Sequence, residues 1–197
     1  MCVYKPYLCT SHLNIEKKNL IKEKKFEIQD HIIYLSFTSN IKVGITLKKN
    51  FIIRLMDQGS IIALKLAKTP NRYLAGIIEE ICKNKLLDRT NFRKMLTINY
   101  SNNKLFLIKK KILNLKKYLI KKKLKKFKKF IILKNKFYIF KYPFYKIKKK
   151  IKILKLDKYK IFNNKLKGIK GQYLIFKNNY ILNIRSHIGY ILNINIY

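Results

Sequence analysis

The sequence predicts an α+β fold, and three observations carry that prediction. Two β-branched and aromatic runs flank a polar turn in residues 31–46. An apolar period of three and four recurs over 74–81 and 105–119. Strands punctuated by Gly and Asn close the chain from residue 165. In order, His31–Phe37 (HIIYLSF) and Ile41–Thr46 (IKVGIT) read as a hairpin turning at Thr38-Ser39-Asn40. Lys49–Gln58 has a helical pattern that stops at Gly59, the residue a helix C-terminus favours. Ile61–Ala67 is an apolar run of strand length. Thr69-Pro70-Asn71 then opens a second helix with Leu74, Ile77, Ile78 and Ile81 on one face. Strand, strand, helix, strand, helix is a small α+β core.

Further on, Leu105, Ile108, Ile112, Leu115 and Leu119 make one apolar stripe, and the lysines between them fall mainly opposite. Phe127, Phe130, Phe137, Tyr138, Phe140, Tyr142, Phe144 and Tyr145 interleave with lysine, and Pro143 breaks any helix there. From Lys165 the runs KLKGIKGQYLIF, YILNIR and YILNINIY, with turns at Asn178-Asn179 and near Ser186–Gly189, read as a meander of three or four strands. The expected organisation is a segment 1–30, an α+β core 31–100, a lysine-rich helical and aromatic connection 101–160, and a small β unit 161–197.

Composition narrows the function classes. The chain has 197 residues, with 47 Lys+Arg against 9 Asp+Glu and a net charge of +38. Its 48% hydrophobic content excludes an ordinary disordered polycation. Residues 89–156 carry 25 basic side chains and no acidic one. Such a block favours nucleic acid, since lysine clusters with interleaved rings suit phosphate contact and base stacking. Lys121, Lys122, Lys123, Lys125, Lys126, Lys128 and Lys129, then Lys148, Lys149 and Lys150, are the strongest candidates. Only five residues are arginine, which argues against sharp base readout and leaves DNA and RNA both open. Strong A+T pressure on codons also enriches Lys, Ile, Asn, Tyr and Phe, so a scaffold whose lysines are compositional drift stays open beside the binder. The odd, irregularly spaced Cys2, Cys9 and Cys82 point to a reducing compartment. No signal peptide is visible and no uncharged apolar stretch reaches about 18 residues, so a soluble cytoplasmic protein without a transmembrane segment is expected.

The strings KVGIT (42–46), RLMDQGS (54–60), AKTPNRYLAGIIE (67–79) and DRTNFRKML (88–96) closely resemble an uncharacterised bacterial family of unknown function. Its members show KVGxT, RWxDQGA, PNRYLAGxxE and DKTNWRKML in the same order, and Lys165–Tyr190 looks like its C-terminal segment. Members usually carry a Cys/His-rich segment like a zinc ribbon before the hairpin. Here Cys2, Cys9 and His12 are its only remnants, and a structural zinc wants four ligands in close pairs, so the expectation is that the zinc site is lost.

The core is also similar, more distantly, to the GIY-YIG nuclease arrangement. On that resemblance Tyr34 falls at the first motif, Val43-Gly44 at the second, Arg54 at the phosphate-steadying helix arginine, Glu79 at the metal carboxylate and Asn91 at the later asparagine. Lys42 stands where a second tyrosine is expected, the first-motif glycine is absent and no histidine follows Arg54. The implied chemistry is an activated water, Mg²⁺ or Mn²⁺ at Glu79 if the chain cuts, and the planar fork of Arg54 on the developing charge. Arg72 and Arg93 would hold further phosphates. The residues themselves require no cofactor. The leading expectation is nucleic-acid binding on this core, with a metal-dependent endonuclease using Arg54 and Glu79 as the alternative.

Overall fold

In the computed structural model, which describes residues 27–83, 86, 91–97, 101–143, 147, 151–159 and 161–195, the predicted hairpin is β1 (His31–Phe37) against β2 (Ile41–Leu47). They pair antiparallel from His31 opposite Leu47 to Phe37 opposite Ile41. β3 (Ile62–Thr69) pairs antiparallel on the other side of β1, and β4 (Phe137–Ile139) completes the order β2-β1-β3-β4. The register of β3 shifts between Ile33 and Tyr34, leaving Leu66 as an extra residue, so Leu66 and Ala67 both reach the same core.

Alternation along the strands makes two apolar faces. Ile33, Leu35, Val43, Ile62 and Leu64 pack on α2 (Arg72–Lys83) through Ala75, Ile78 and Cys82. Ile108 and Ile112 of α4 (Asn102–Tyr118), with Leu119 and Leu124 beyond it, extend that core. On the opposite face Ile32, Tyr34 and Ala63 meet Phe51 and Leu55 of α1 (Phe51–Asp57). Helix ends follow the expected chemistry. Gly59 at φ +66 lets α1 close with Gly59 N–H donating to Met56 O and Ser60 N–H to Leu55 O, a Schellman ending. Asn71 Oδ1 accepts from Leu74 N at 2.9 Å to open α2.

The second sheet runs β5-β8-β7-β6, from β5 (Lys152–Leu154), β6 (Leu166–Lys170), β7 (Tyr173–Phe176) and β8 (Tyr180–Asn183). β6 to β8 form the expected antiparallel meander, and its inner face packs Ile175 and Ile181 on Met95 and Leu96 of α3 (Phe92–Thr97). The fourth strand is not the tail but β5, parallel to β8. With that edge occupied, the chain after β8 turns away through Ile184–His187, where Asn183 Oδ1 accepts from Arg185 N and Ser186 Oγ donates to Asn183 O. The basic segment after residue 101 thus supplies one strand to each sheet. Among the described residues no helix is long and apolar enough to cross a membrane.

Among the described residues three lysines are buried, Lys42, Lys116 and Lys170, and the last two turn to carbonyl oxygens. Lys116 Nζ donates to Ile132 O and to Asn135 Oδ1 at 2.9 Å. Lys170, 1% exposed, donates to Met95 O at 2.8 Å, and burial pushes its ammonium down to about 8 from 10.5. Below pH 8 the charged Lys170 costs stability. Between about 8 and 10.5 the unfolded chain binds more protons than the folded one, so the cost fades as pH rises. The wild type should gain up to about 3 kcal/mol on a Lys170→Met variant across that window. Urea unfolding of both proteins at the two ends of the window measures it, and parallel stabilities would show an ordinary lysine.

Candidate functional site

The residues of interest gather at one end of the first sheet, with α1 on one of its faces and α2 on the other. His31 ends one strand, Ile45 to Leu47 end its neighbour, and Asn50, Ile53, Arg54 and Asp57 project from α1 and the turn before it. With Glu27 and Arg72 they line an open cleft of about 590 Å³. Two helices therefore deliver Arg54 and Arg72 to one hollow. His31 Nδ1 lies 2.7 Å from Gln29 O, and burial pushes the imidazole below its usual range, with the Arg72 charge adding to the push. It enters the cleft as a neutral hydrogen-bonding group at ordinary pH.

Tyr34 lies beneath, 0% exposed, its hydroxyl donating to Gln58 Oε1 at 3.2 Å. Burial pushes this hydroxyl up, offset in part by the Arg54 guanidinium and Gln58, while the Glu79 charge adds to the rise. Gly44 is what makes room for it. A Cβ there would stand 2.6 Å from the Tyr34 oxygen and 2.7 Å from Cζ. Tyr34, Gly44 and Arg54 are thus gathered around one point.

The other candidates are placed differently. Lys42 is buried two register positions away, opposite Ser36. Glu79 does not line the cleft; it pairs with Lys83 at 3.5 Å on its own helix. Burial pushes its carboxyl up, opposed by Lys83 and Arg72. A divalent ion needs an ionised carboxylate free to turn toward it. One carboxyl that burial holds toward its neutral form, already bound to a lysine, fits such an ion poorly. Asn91 caps α3, with Oδ1 accepting from Lys94 N at 3.0 Å and its N–H donating to Ser39 Oγ at 3.2 Å. Arg93 is exposed, its guanidinium carbon 5.6 Å from the Phe92 ring centroid.

Lys121, Lys122, Lys123, Lys125, Lys126, Lys128 and Lys129 are all exposed in the turns that follow α4. The rings interleaved with them are not. Phe127, Phe130 and Phe137 pack against the first core and Tyr138 and Phe140 against the α1 side. Tyr142 donates to Ser60 O at 2.9 Å. Lys148, Lys149, Lys150, Phe144, Tyr145, Cys2, Cys9 and His12 lie outside the described residues. Reading by residue type missed Gln58 and His31. Gln58 had one available signal, its position immediately before the helix-ending Gly59, which aims it back at the sheet.

The chain belongs to the family described as "Protein of unknown function (DUF2797)", which matches residues 1–192. No curated protein and no solved structure matches it.

The Tyr34–Gly44 contact can be tested directly. Gly44→Ala should destabilise the chain by about 1–3 kcal/mol, because the ring it meets is fully buried and has nowhere to go. In a Tyr34→Ala background the same change should cost much less. A double-mutant cycle by urea unfolding measures the coupling, and additive losses would place the ring elsewhere.

Proposed function

Starting from membership of a family without an assigned activity, we propose that this protein binds nucleic acid on a core that resembles the GIY-YIG arrangement. Phosphates would be held in the cleft of Arg54 and Arg72 and along the lysines of residues 121–129. The observation that carries the reading is the convergence of Arg54 and Arg72, from separate helices, on one open cleft of a chain with net charge +38. A guanidinium offers a planar fork that matches two phosphate oxygens, which an ammonium cannot copy. His31, Thr46 and Asn50 line the same cleft as polar neighbours. The exposed lysines beyond α4 add the sequence-independent attraction of released counterions.

This arrangement binds rather than cuts. Tyr34 is sealed from water with its hydroxyl pushed up, and Glu79, where the resemblance puts the metal, pairs with Lys83 outside the cleft, whose own carboxylates are Glu27 and Asp57. Labelled oligonucleotides, single-stranded and duplex, DNA and RNA, titrated by fluorescence anisotropy over a range of salt, test the reading. Arg54→Ala with Arg72→Ala should weaken binding about tenfold and lower the log–log salt slope by about 2. Changing the seven lysines of 121–129 to Gln should lower the slope further. Glu79→Gln should leave affinity intact. Binding that vanishes at moderate salt on every substrate, and that the arginine changes do not touch, would reduce the chain to a scaffold with drifted lysines. Cleavage in Mg²⁺ or Mn²⁺ by the wild type but not by Glu79→Gln would replace the reading with a metal-dependent endonuclease.

A further inference from the structure

Phe127, Phe130 and Phe137, the rings interleaved with and following the lysine cluster, are spent on the core, so they are not available to stack on bases. Among the described residues exposed rings stand singly at Phe106 and Tyr118 of α4, whereas a group of rings partly open to solvent lies on the second sheet. Alternation sends Ile175 and Ile181 inward and turns Phe176 and Tyr180 to the opposite face. There Phe162 stands edge-on to Tyr159, Phe176 and Tyr180 at centroid distances of 6.0, 5.3 and 5.6 Å. Tyr159 is 41% exposed and the other three rings are half-buried. Lys152 Nζ lies 5.2 Å from the Tyr180 ring centroid, and Lys155, Lys158, Lys165, Lys167 and Lys177 are all exposed in the strands and turns around the cluster. The only carboxylate after residue 156 is Asp157, which accepts from Tyr190.

We infer that this aromatic face is a base-stacking surface, and that the nucleic acid the protein takes is single-stranded. The inference deepens the proposed function and rests on it. A paired base keeps its faces inside the helical stack, whereas an unpaired base offers a free π-face to an aromatic ring. Lysines alone accept any polyanion; lysines around partly exposed rings discriminate strands with free bases. The surrounding charge is positive apart from Asp157, so the occupant is anionic. The scarcity of arginine fits the same ligand, because stacking reads the presence of a base and not its identity.

The test uses the full chain and oligonucleotides of about 15 nucleotides, a length within the range such surfaces cover. Photocrosslinking with 5-iodouracil-substituted single strands, followed by peptide mapping, needs no variant and should label residues between Tyr159 and Tyr180. The double variant Tyr159→Leu, Phe162→Leu keeps apolar volume. Its thermal unfolding is checked beside the wild type, and it should lose about tenfold in affinity for single strands and nothing for a duplex of equal length. Crosslinks confined to residues 102–143, or equal affinities in the double variant, overturn the stacking surface while the cleft variants still report on nucleic-acid binding. If the wild type retains no oligonucleotide at moderate salt, the function reading falls first and this one with it. Retention on phosphatidylserine vesicles that the double variant loses, without single-strand preference, assigns the face to lipid and overturns it too.

Discussion

A Cβ on Gly171 would stand 2.7 Å from Asp57 O and 2.8 Å from Gly59 N, and one on Gly59 would meet Met95 Sδ at 2.5 Å. The turn between β6 and β7 can therefore rest on the end of α1 only because both positions lack a side chain, and both have the left-handed backbone that glycine adopts at no steric cost. This contact ties the second sheet to the first. It also sets where α1 stops, and the last turn of α1 carries Arg54, Asp57 and Gln58. The cleft and the partner of Tyr34 thus depend on a backbone-to-backbone approach 112 residues apart in sequence (171 minus 59). Lys170 is drawn into the interior by the same turn, and Met95 O, at the far side of the junction, is what its ammonium finds.

That the buried ammonium finds a carbonyl follows from the chain's charge balance. Nine carboxylates cannot neutralise 47 cations. The described ion pairs use Asp30 twice and Lys83 twice, most of them on partly exposed side chains where such pairs contribute little. Interior lysines are satisfied by peptide oxygens instead, as at Lys116 and Lys170. The remaining positive charge is left on the surface without an internal counterpart, which disfavours compactness in low salt and favours any polyanion that can lie along it.

Much of the first sheet was legible because its residues obey one period at a time. Alternation in 31–46, a Gly stop at 59 and an Asn cap at 71 mark β1, β2, α1 and α2 without reference to distant contacts. The stripe from Leu105 to Leu119 likewise finds its place on the core. β4 and β5 were not legible. Three-residue strands among lysines have no alternation to read, and both exist because a sheet edge elsewhere in the chain accepts them. The tail looked like a strand by composition but had no free edge beside β8. At the candidate site, Tyr34 and Arg54 were singled out by the resemblance of their motifs. The arrival of Arg72 and His31 at the same hollow depends on how α2 enters the sheet, a tertiary fact. The rings of 127–140 misled for the same reason: interleaving with lysine describes an amphipathic surface strip and a lysine-coated core wall equally well, and only packing separates them.

The lysines on this surface say little individually about function, since drift and selection both leave them outside, where burial costs do not apply. Arginine is more informative here. In a chain where 42 of 47 cations are lysine, a point charge is the default, and an arginine marks a place where a point charge does not serve. Two of the five arginines line one cleft, arriving from different helices, next to a neutral histidine and above a buried tyrosine whose hydroxyl one of them faces. Compositional pressure acts on residues independently of where the fold puts them. It does not direct two guanidinium groups to one hollow, so their convergence, rather than the lysine count, is what supports the proposed phosphate cleft.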